Sequence, residues 1–221
     1  MTRIAAIPGT ELAVFMTGVD SSPREVPPEA LFLSQVHGAV ILDPPEPSAP
    51  ADGMILPRNG TLFPGVLTAD CLPVFAVWDG MVGCAHAGWR GLAAGVLDAL
   101  LEAGGGPPRT VVLGPCICGE CYTVGENVRS MVSETIGPGK TGRLPGRLDL
   151  KEAVASYFTD REKVFTIDIC TLCGAGFHSH RRNGTTLRNR FWLAPKALGH
   201  DITPSVPVKP YDHFTFEGSP A

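Results

Sequence analysis

The chain has 221 residues, 44% of them apolar and 18% charged, with a net charge of −4. That length suits one large domain, and the composition supports a packed core and excludes wholesale disorder. Both signs of charge are dispersed with no basic tract, which speaks against nucleic acid as a partner. No apolar run approaches the roughly 18 residues of a membrane span, so no membrane partner is expected. The start, Met1-Thr2-Arg3-Ile4, lacks the apolar stretch of a secretory signal, and a cytoplasmic location is expected. Seven cysteines in a reducing compartment point to thiols or metal ligands rather than disulfides.

Twenty-six glycines and 21 prolines imply many loops. Residues 11–17 read as a strand and 21–28 as a loop. Residues 31–36 are strand-like and end on His37-Gly38, and 40–42 return, which predicts a hairpin with His37 at its tip. Residues 43–50 hold four prolines and form a loop. Asp52-Gly53 marks a turn before a short strand at 54–56. Apolar runs at 66–68 and 74–77 flank Asp70-Cys71, and a third at 81–85 delivers His86. Asp79-Gly80 between the last two is a strong two-residue hairpin signal. Cys71 and His86 are thereby placed at the ends of neighbouring strands. The small residues Ala69, Ala85, Ala87 and Gly88 beside them leave room for a ligand or metal.

Leu92, Val96, Leu97, Leu100 and Leu101 sit at helical spacing, and Gly104-Gly105-Gly106 ends that helix. Residues 111–113 form a strand and 125–136 a helix. Asp149 with Glu152 three residues on resembles a capping box and opens a helix over 150–160. Residues 163–168 form a strand, and about 204–221 form a loosely packed tail. Strands outnumber helices and many look hairpin-connected, so a single α+β domain spanning 1–221 is expected rather than a parallel doubly wound sheet.

His37, Cys71 and His86 form a plausible zinc set. Three protein ligands leave the fourth position of a tetrahedral ion open, the arrangement of catalytic zinc. The bland alternative is a buried cysteine and two structural histidines, since spacings of 34 and 15 residues match no local finger. Asp70 suits a base or an orienting carboxylate, or else merely caps a turn. Arg90, just before a helix, suits an anion such as phosphate, or is an ordinary surface arginine. Cys116-Ile117-Cys118-Gly119-Glu120-Cys121 and Cys170-Thr171-Leu172-Cys173 hold enough thiols for a structural zinc or an iron–sulfur cluster. The first group is irregular for a finger, and reduced thiols packed in the core are the favoured reading. Residues 177–184 concentrate His178, His180, Arg181 and Arg182, a pattern suited to phosphate or a carboxylate.

Eight motifs occur in order: Ser34-Gln35-Val36-His37-Gly38; Ala51-Asp52-Gly53; Thr68-Ala69-Asp70-Cys71-Leu72-Pro73-Val74; Ala85-His86-Ala87-Gly88-Trp89-Arg90-Gly91; Gly114-Pro115 to Cys118, then Cys121-Tyr122 to Gly125; Asp149-Leu150; Cys170-Thr171; and Phe177 to Gly184. On these, the chain closely resembles, from about residue 31 to 190, the purine nucleoside phosphorylase family that also carries an older polyphenol oxidase, or laccase-domain, label. The resemblance implies a single α+β domain of two packed mixed sheets flanked by helices. It implies zinc on His37, Cys71 and His86, with copper as the other candidate. The implied activities are phosphorolysis of adenosine, inosine, guanosine and methylthioadenosine, with phosphate as co-substrate, and hydrolytic deamination of adenosine. Cys71, Asp70 and His86 are then the catalytic candidates. Gln35, Arg90 and Arg181 are candidates for substrate or phosphate, the two arginines on charge alone. The chain departs from the family pattern before residue 31, where glycine-rich and Ser-Leu-Asn-Leu pieces are missing. It departs again at Ser179-His180-Arg181-Arg182, where the family has tyrosine in place of His180.

A second reading makes Cys71 a nucleophile and His86 its base, as in a cysteine hydrolase acting on amides, including editing of a cell-wall precursor. A third is a binding protein with a purely structural metal. A copper-dependent phenol oxidase is the least expected. Multicopper electron transfer spreads many imidazoles over several coppers, and six histidines cannot supply them.

Overall fold

The computed structural model describes residues 2–158, 163–199 and 206–211. In chain order the strands are β1 (Arg3–Ala6), β2 (Leu12–Thr17), β3 (Ala30–Leu31), β4 (Ile41–Leu42), β5 (Gly53–Pro57), β6 (Phe63–Thr68), β7 (Leu72–Val77), β8 (Met81–Ala87), β9 (Thr110–Leu113), β10 (Val164–Thr166), β11 (Asn189–Pro195) and β12 (Lys209–Pro210). The α-helices are α1 (Trp89–Ala93), α2 (Val96–Ala103), α3 (Glu126–Ile136), α4 (Leu150–Tyr157) and α5 (His180–Asn183). The strands form two mixed sheets, a smaller one ordered β1-β2-β11-β6-β3 and a larger one ordered β12-β10-β9-β7-β8-β5-β4. The α+β class and the pair of mixed sheets are as expected.

Strand alternation sorts the core into layers. Val14 and Met16 of β2, Phe191 and Leu193 of β11, Met54 of β5, Phe75 and Val77 of β7, and Cys84 of β8 fill the space between the sheets. On the other face of the larger sheet, Leu72, Val74 and Ala76 pack with Leu92, Leu97 and Leu100 of α1 and α2, Val132 of α3 and Val154 of α4. Every residue of β7 is therefore buried, which is why that segment reads as a continuous apolar run rather than an alternating one. Emptying the fully buried Phe75 position to alanine would cost about 3–5 kcal/mol. The outer face of the smaller sheet carries its own cluster, with Phe15 stacked on Trp192 at 5.5 Å between ring centroids.

The Asp79-Gly80 hairpin forms as expected, joining β7 to β8 with Val77 opposite Val82. Asp149 caps α4 by accepting a hydrogen bond from the Glu152 N–H at 3.0 Å. Two expectations are corrected, and one strand is new. Residues 31–42 are not a hairpin: β3 runs parallel to β6 in the smaller sheet, whereas β4 runs parallel to β5 in the larger one. The single helix expected over 92–101 is two, broken at Gly95, whose φ of +83° no helix accommodates. The strand β11, unforeseen, pairs with both β2 and β6 and so lies inside the smaller sheet. Of the tail expected to pack loosely, residues 206–211 are described. They include β12, which pairs with β10, and Tyr211, whose hydroxyl donates to Glu152 at 2.8 Å. The rest of that tail, and the last residues of the helix expected over 150–160, lie outside the described residues. No helix among the described residues is long and apolar enough to cross a membrane.

Candidate metal centre

The chain passes from the smaller to the larger sheet twice in its first half, and both passages carry ligand candidates. Between β3 and β4 the connecting loop holds His37. Between β6 and β7 the turn Ala69-Asp70-Cys71 makes the crossing. The third candidate, His86, sits near the end of β8, and the register that sets Leu72 opposite Ala87 and Pro73 opposite His86 places Cys71 beside it. His37 and Asp70 both adopt left-handed backbone, at φ +61° and +101°. Such non-glycine conformations cost about 1–3 kcal/mol each and concentrate where function requires a fixed geometry.

Asp52 holds this arrangement together. It ends the turn into β5 and is 1% exposed. Its Oδ1 accepts from the His37 N–H at 2.9 Å and stands 2.9 Å from His86 Nδ1; its Oδ2 accepts from the N–H groups of Gly38 at 2.6 Å and Val36 at 3.3 Å. Its main-chain carbonyl also accepts from the His86 N–H at 2.7 Å. One buried carboxylate thus fixes the His37 loop and the His86 ring together. Because a carboxylate can only accept, Nδ1 of His86 carries the proton and Nε2 is left to face Cys71. Gly53 must follow, since a Cβ there would lie 2.4 Å from the Cys84 carbonyl oxygen.

One donor atom from each of His37, Cys71 and His86 lies within 4.8 Å of the others. The two imidazole rings meet edge to face, 4.8 Å between centroids. Donors on one tetrahedral zinc lie about 3.3–3.8 Å apart, given bonds of about 2.0–2.3 Å, so the three donors are within about an ångström of the spacing one ion requires. Gly88 leaves the space beside the sulfur open: a Cβ there would stand 2.8 Å from Cys71 Sγ. His86 is buried, Cys71 half-buried and His37 exposed, so the cluster opens to solvent on the His37 side.

The electrostatics suit metal binding. Burial works against ionisation of Cys71, but hydrogen bonds from His37 and His86 and the charges of both outweigh it and hold the thiol down at about 6. Burial likewise opposes the charged form of His86, yet the bonded Asp52 carboxylate and the Cys71 sulfur lift it to about 9. Asp52 stays below the ordinary carboxylate range despite its burial, held there by His86 and by the loop N–H groups. A thiolate and two imidazoles, the inner one oriented by a carboxylate, form a donor set that fits a zinc-like ion.

The other expected site residues are placed as follows. Asp70 is buried, its Oδ1 accepting from the Thr171 hydroxyl at 2.7 Å and its Oδ2 from the Arg181 N–H at 2.7 Å, so it ties α5 to the Cys71 turn. The Arg181 guanidinium lies over the Tyr122 ring at 4.9 Å and donates to the Thr123 carbonyl at 2.9 Å. Arg90 is exposed and stacks over Trp89 at 4.5 Å, two residues past Gly88. Gln35 spends both ends of its amide on the main chain of Leu67, each at 2.7 Å. Arg182 is spent on the carbonyls of Thr171, Leu172, Gly174 and Phe177.

Sequence reasoning missed two residues. In sequence Asp52 reads only as a turn residue, although a carboxylate inside one of the eight motifs is a signal. Tyr122 is buried, and its phenol is pushed up to about 12 by burial and by the Cys71 charge, against the pull of Arg181. It is tied to the Asp70-Cys71 turn through Arg181, which stacks on its ring and donates its N–H to Asp70. The place of Tyr122 in the Cys121-Tyr122 to Gly125 motif is the signal, although nothing there assigns the phenol a role.

The chain belongs to the family described as multi-copper polyphenol oxidoreductase laccase, whose model matches residues 21–192. Among its curated relatives are purine nucleoside phosphorylase SCO2081 of Streptomyces coelicolor, 34% identical across 83% of this chain and 80% of that one, and purine nucleoside phosphorylase YfiH of Escherichia coli, 40% identical across 76% and 75%. The crystal structure of Neisseria meningitidis protein NMB0706 superposes with a TM-score of 0.73 at 26% identity, covering 88% of this chain and 98% of that one. YlmD from Geobacillus stearothermophilus gives 0.66 at 30% identity, covering 76% and 73%.

Proposed function

We propose that this chain is a zinc-dependent purine nucleoside enzyme that cleaves adenosine, inosine, guanosine and methylthioadenosine with phosphate and deaminates adenosine with water. The observation that carries the reading is the convergence of His37, Cys71 and His86 at a solvent-open point, in a chain whose relatives bear the name purine nucleoside phosphorylase. His37, Cys71 and His86 would hold the ion, which when bound would supply Lewis-acid chemistry at the site.

The residues around it have separable tasks. Asp52 fixes the His86 ring and the His37 loop, so the ligand face does not reorganise during reaction. Phosphorolysis forms a bond between a phosphate oxygen and C1′ of the sugar, breaks the bond from C1′ to the purine nitrogen, and leaves the base to take up a proton. The guanidinium groups of Arg181 and Arg90 are the anion-binding groups of this scheme. A positive field on the α5 side supports it: burial together with Arg190, Arg182 and Arg188 holds His178 below the usual imidazole range. Asp70 is the carboxylate proposed for proton transfer in deamination. Each of its oxygens keeps a second lone pair beyond the bonds to Thr171 and Arg181. Gln35, bound to Leu67, acts by positioning the loop that carries His37.

A second reading rests on one observation. A thiol held at about 6 beside an imidazole raised to about 9 is also the charge pair of a cysteine nucleophile and its base. One experiment separates the two. Purified protein is incubated with adenosine, with and without phosphate, before and after chelator treatment. The nucleoside reading expects adenine only when phosphate is present and inosine without it. Chelation should abolish both products, added zinc should restore them, and Cys71→Ala should lose both by more than about a hundredfold. Unchanged turnover in Cys71→Ala would refute the metal reading. Amide hydrolysis by metal-free protein, stopped by a thiol alkylator, would establish the rival.

A further inference from the structure

We infer a second metal site, built from Cys118, Cys121, Cys170 and Cys173 and suited to one structural zinc ion with four thiolate ligands. The sulfurs of these four residues lie within 4.8 Å of one another. All seven cysteines are free thiols. Two chain segments 52 residues apart meet here. An isolated parallel bridge pairs Cys116 with Cys170, through Cys116 N–H to the Ile169 carbonyl at 3.3 Å and Thr171 N–H to the Cys116 carbonyl at 3.0 Å.

Each segment then turns so that cysteines three apart face the same point. In the first, the N–H groups of Cys121 and Tyr122 both donate to the Cys118 carbonyl at 3.0 Å; in the second, the Gly174 N–H donates to the Cys170 carbonyl at 2.9 Å. The Cys118 N–H points at Cys170 Sγ, 3.4 Å away, a contact that stabilises a thiolate. The irregular spacing in the sequence is explained. Cys116 takes no part, being buried with its thiol directed to the Ile117 carbonyl at 3.3 Å. What remains is a regular pair of Cys-x-x-Cys turns, a spacing typical of structural zinc.

Burial decides against four thiols simply packed as small apolar groups. Cys84 and Cys116, which do pack that way, are 0% and 1% exposed. The four converging cysteines are half-buried or exposed, at the surface, and face one another. A cluster of several irons would hold its sulfurs further apart than one ion does. Four ligands on one tetrahedral zinc lie about 3.8 Å apart, with Zn–S bonds of about 2.3 Å.

The second site also has a position in the molecule. Ile117, next to Cys118, donates its N–H to the Asp70 carbonyl at 3.0 Å, and Thr171, next to Cys170, donates its hydroxyl to the Asp70 carboxylate. The ion would therefore pin the two segments that support the Asp70-Cys71 turn, without itself meeting substrate.

Metal analysis tests this without reference to turnover. The full-length protein, purified reduced and reloaded with zinc, is compared with Cys173→Ser, an exposed position chosen so that the variant folds, and with Cys118→Ser. Each variant should hold one zinc per chain fewer than the parent. Cobalt in place of zinc should give the strong thiolate charge-transfer absorption of a four-sulfur site in the parent, lost in both variants. Equal metal content in parent and Cys173→Ser overturns the site. Iron with acid-labile sulfide in freshly purified protein overturns the zinc assignment. If Cys118→Ser does not fold, the parent's cobalt spectrum and the Cys173→Ser count still decide.

Discussion

Two sulfur-bearing clusters are linked through the Asp70 turn, and they are put together in opposite ways. His37, Cys71 and His86 come from two passages between sheets and a strand end, each positioned by the framework and by one carboxylate, Asp52. Cys118, Cys121, Cys170 and Cys173 come from two short turns whose geometry is local, joined by a single bridge. The first has three donors and an open side, the second four donors. Openness belongs to chemistry and closure to support. The contrast also concerns where rigidity comes from: the sheets supply it in one case, and the ion itself would supply it in the other.

The sharpest way to test this contrast is thiol labelling of metal-free protein against pH. Cys71 is held at about 6, whereas Cys84 and Cys116 are pushed by burial to about 12. At pH 7.5 their thiolate populations differ on the order of ten-thousandfold. In the other cluster burial opposes Cys170 ionising, but the N–H groups of Cys173 and Cys118 hold it at about 7. Because each depressed thiol is ionised above its own value, alkylation of Cys71 should rise through pH 6 and that of Cys170 through pH 7, read by peptide mass spectrometry. Metal should protect both. A Cys71 profile rising only near pH 9 would remove the electrostatic argument for the triad.

A smaller effect distinguishes the frameworks. Asp52→Asn should weaken metal binding at the triad about 10–100-fold, measured by competition with a chromophoric chelator, and leave the four-cysteine site untouched. An equal loss at both sites would mean that the substitution merely loosens the fold. The smallest concerns the rim. Arg90 is exposed and already stacked on Trp89, so Arg90→Ala should raise the KM for phosphate only about two- to fivefold, in line with an exposed ion pair, with kcat little changed.

Much of this was legible in the residues. The Asp79-Gly80 turn fixed the register of β7 and β8, and that register alone brings Cys71 beside His86. The order of motifs around His37 pointed to the same cluster. What could not be read was which sheet each short strand joins. The segments 31–36 and 40–42 look like two arms of a hairpin because β propensity is the same in either sheet. Their separation is decided by distant partners, β6 for one and β5 for the other. Strand β11 escaped for a related reason: its residues, including Phe191 and Trp192, face two different apolar layers, so no alternation shows. Asp52 escaped because a turn residue and a buried anchor look alike until the fold closes over them.

The double passage between sheets has a mechanical consequence. His37 and Cys71 lie on separate strips of chain that bridge the same gap, and His86 is anchored in the larger sheet alone. An ion gripped by all three would act as a clasp across the mouth of the sandwich, resisting any splaying of its layers at that end. Heat resistance should then climb with the concentration of free metal, as binding to the folded form alone requires.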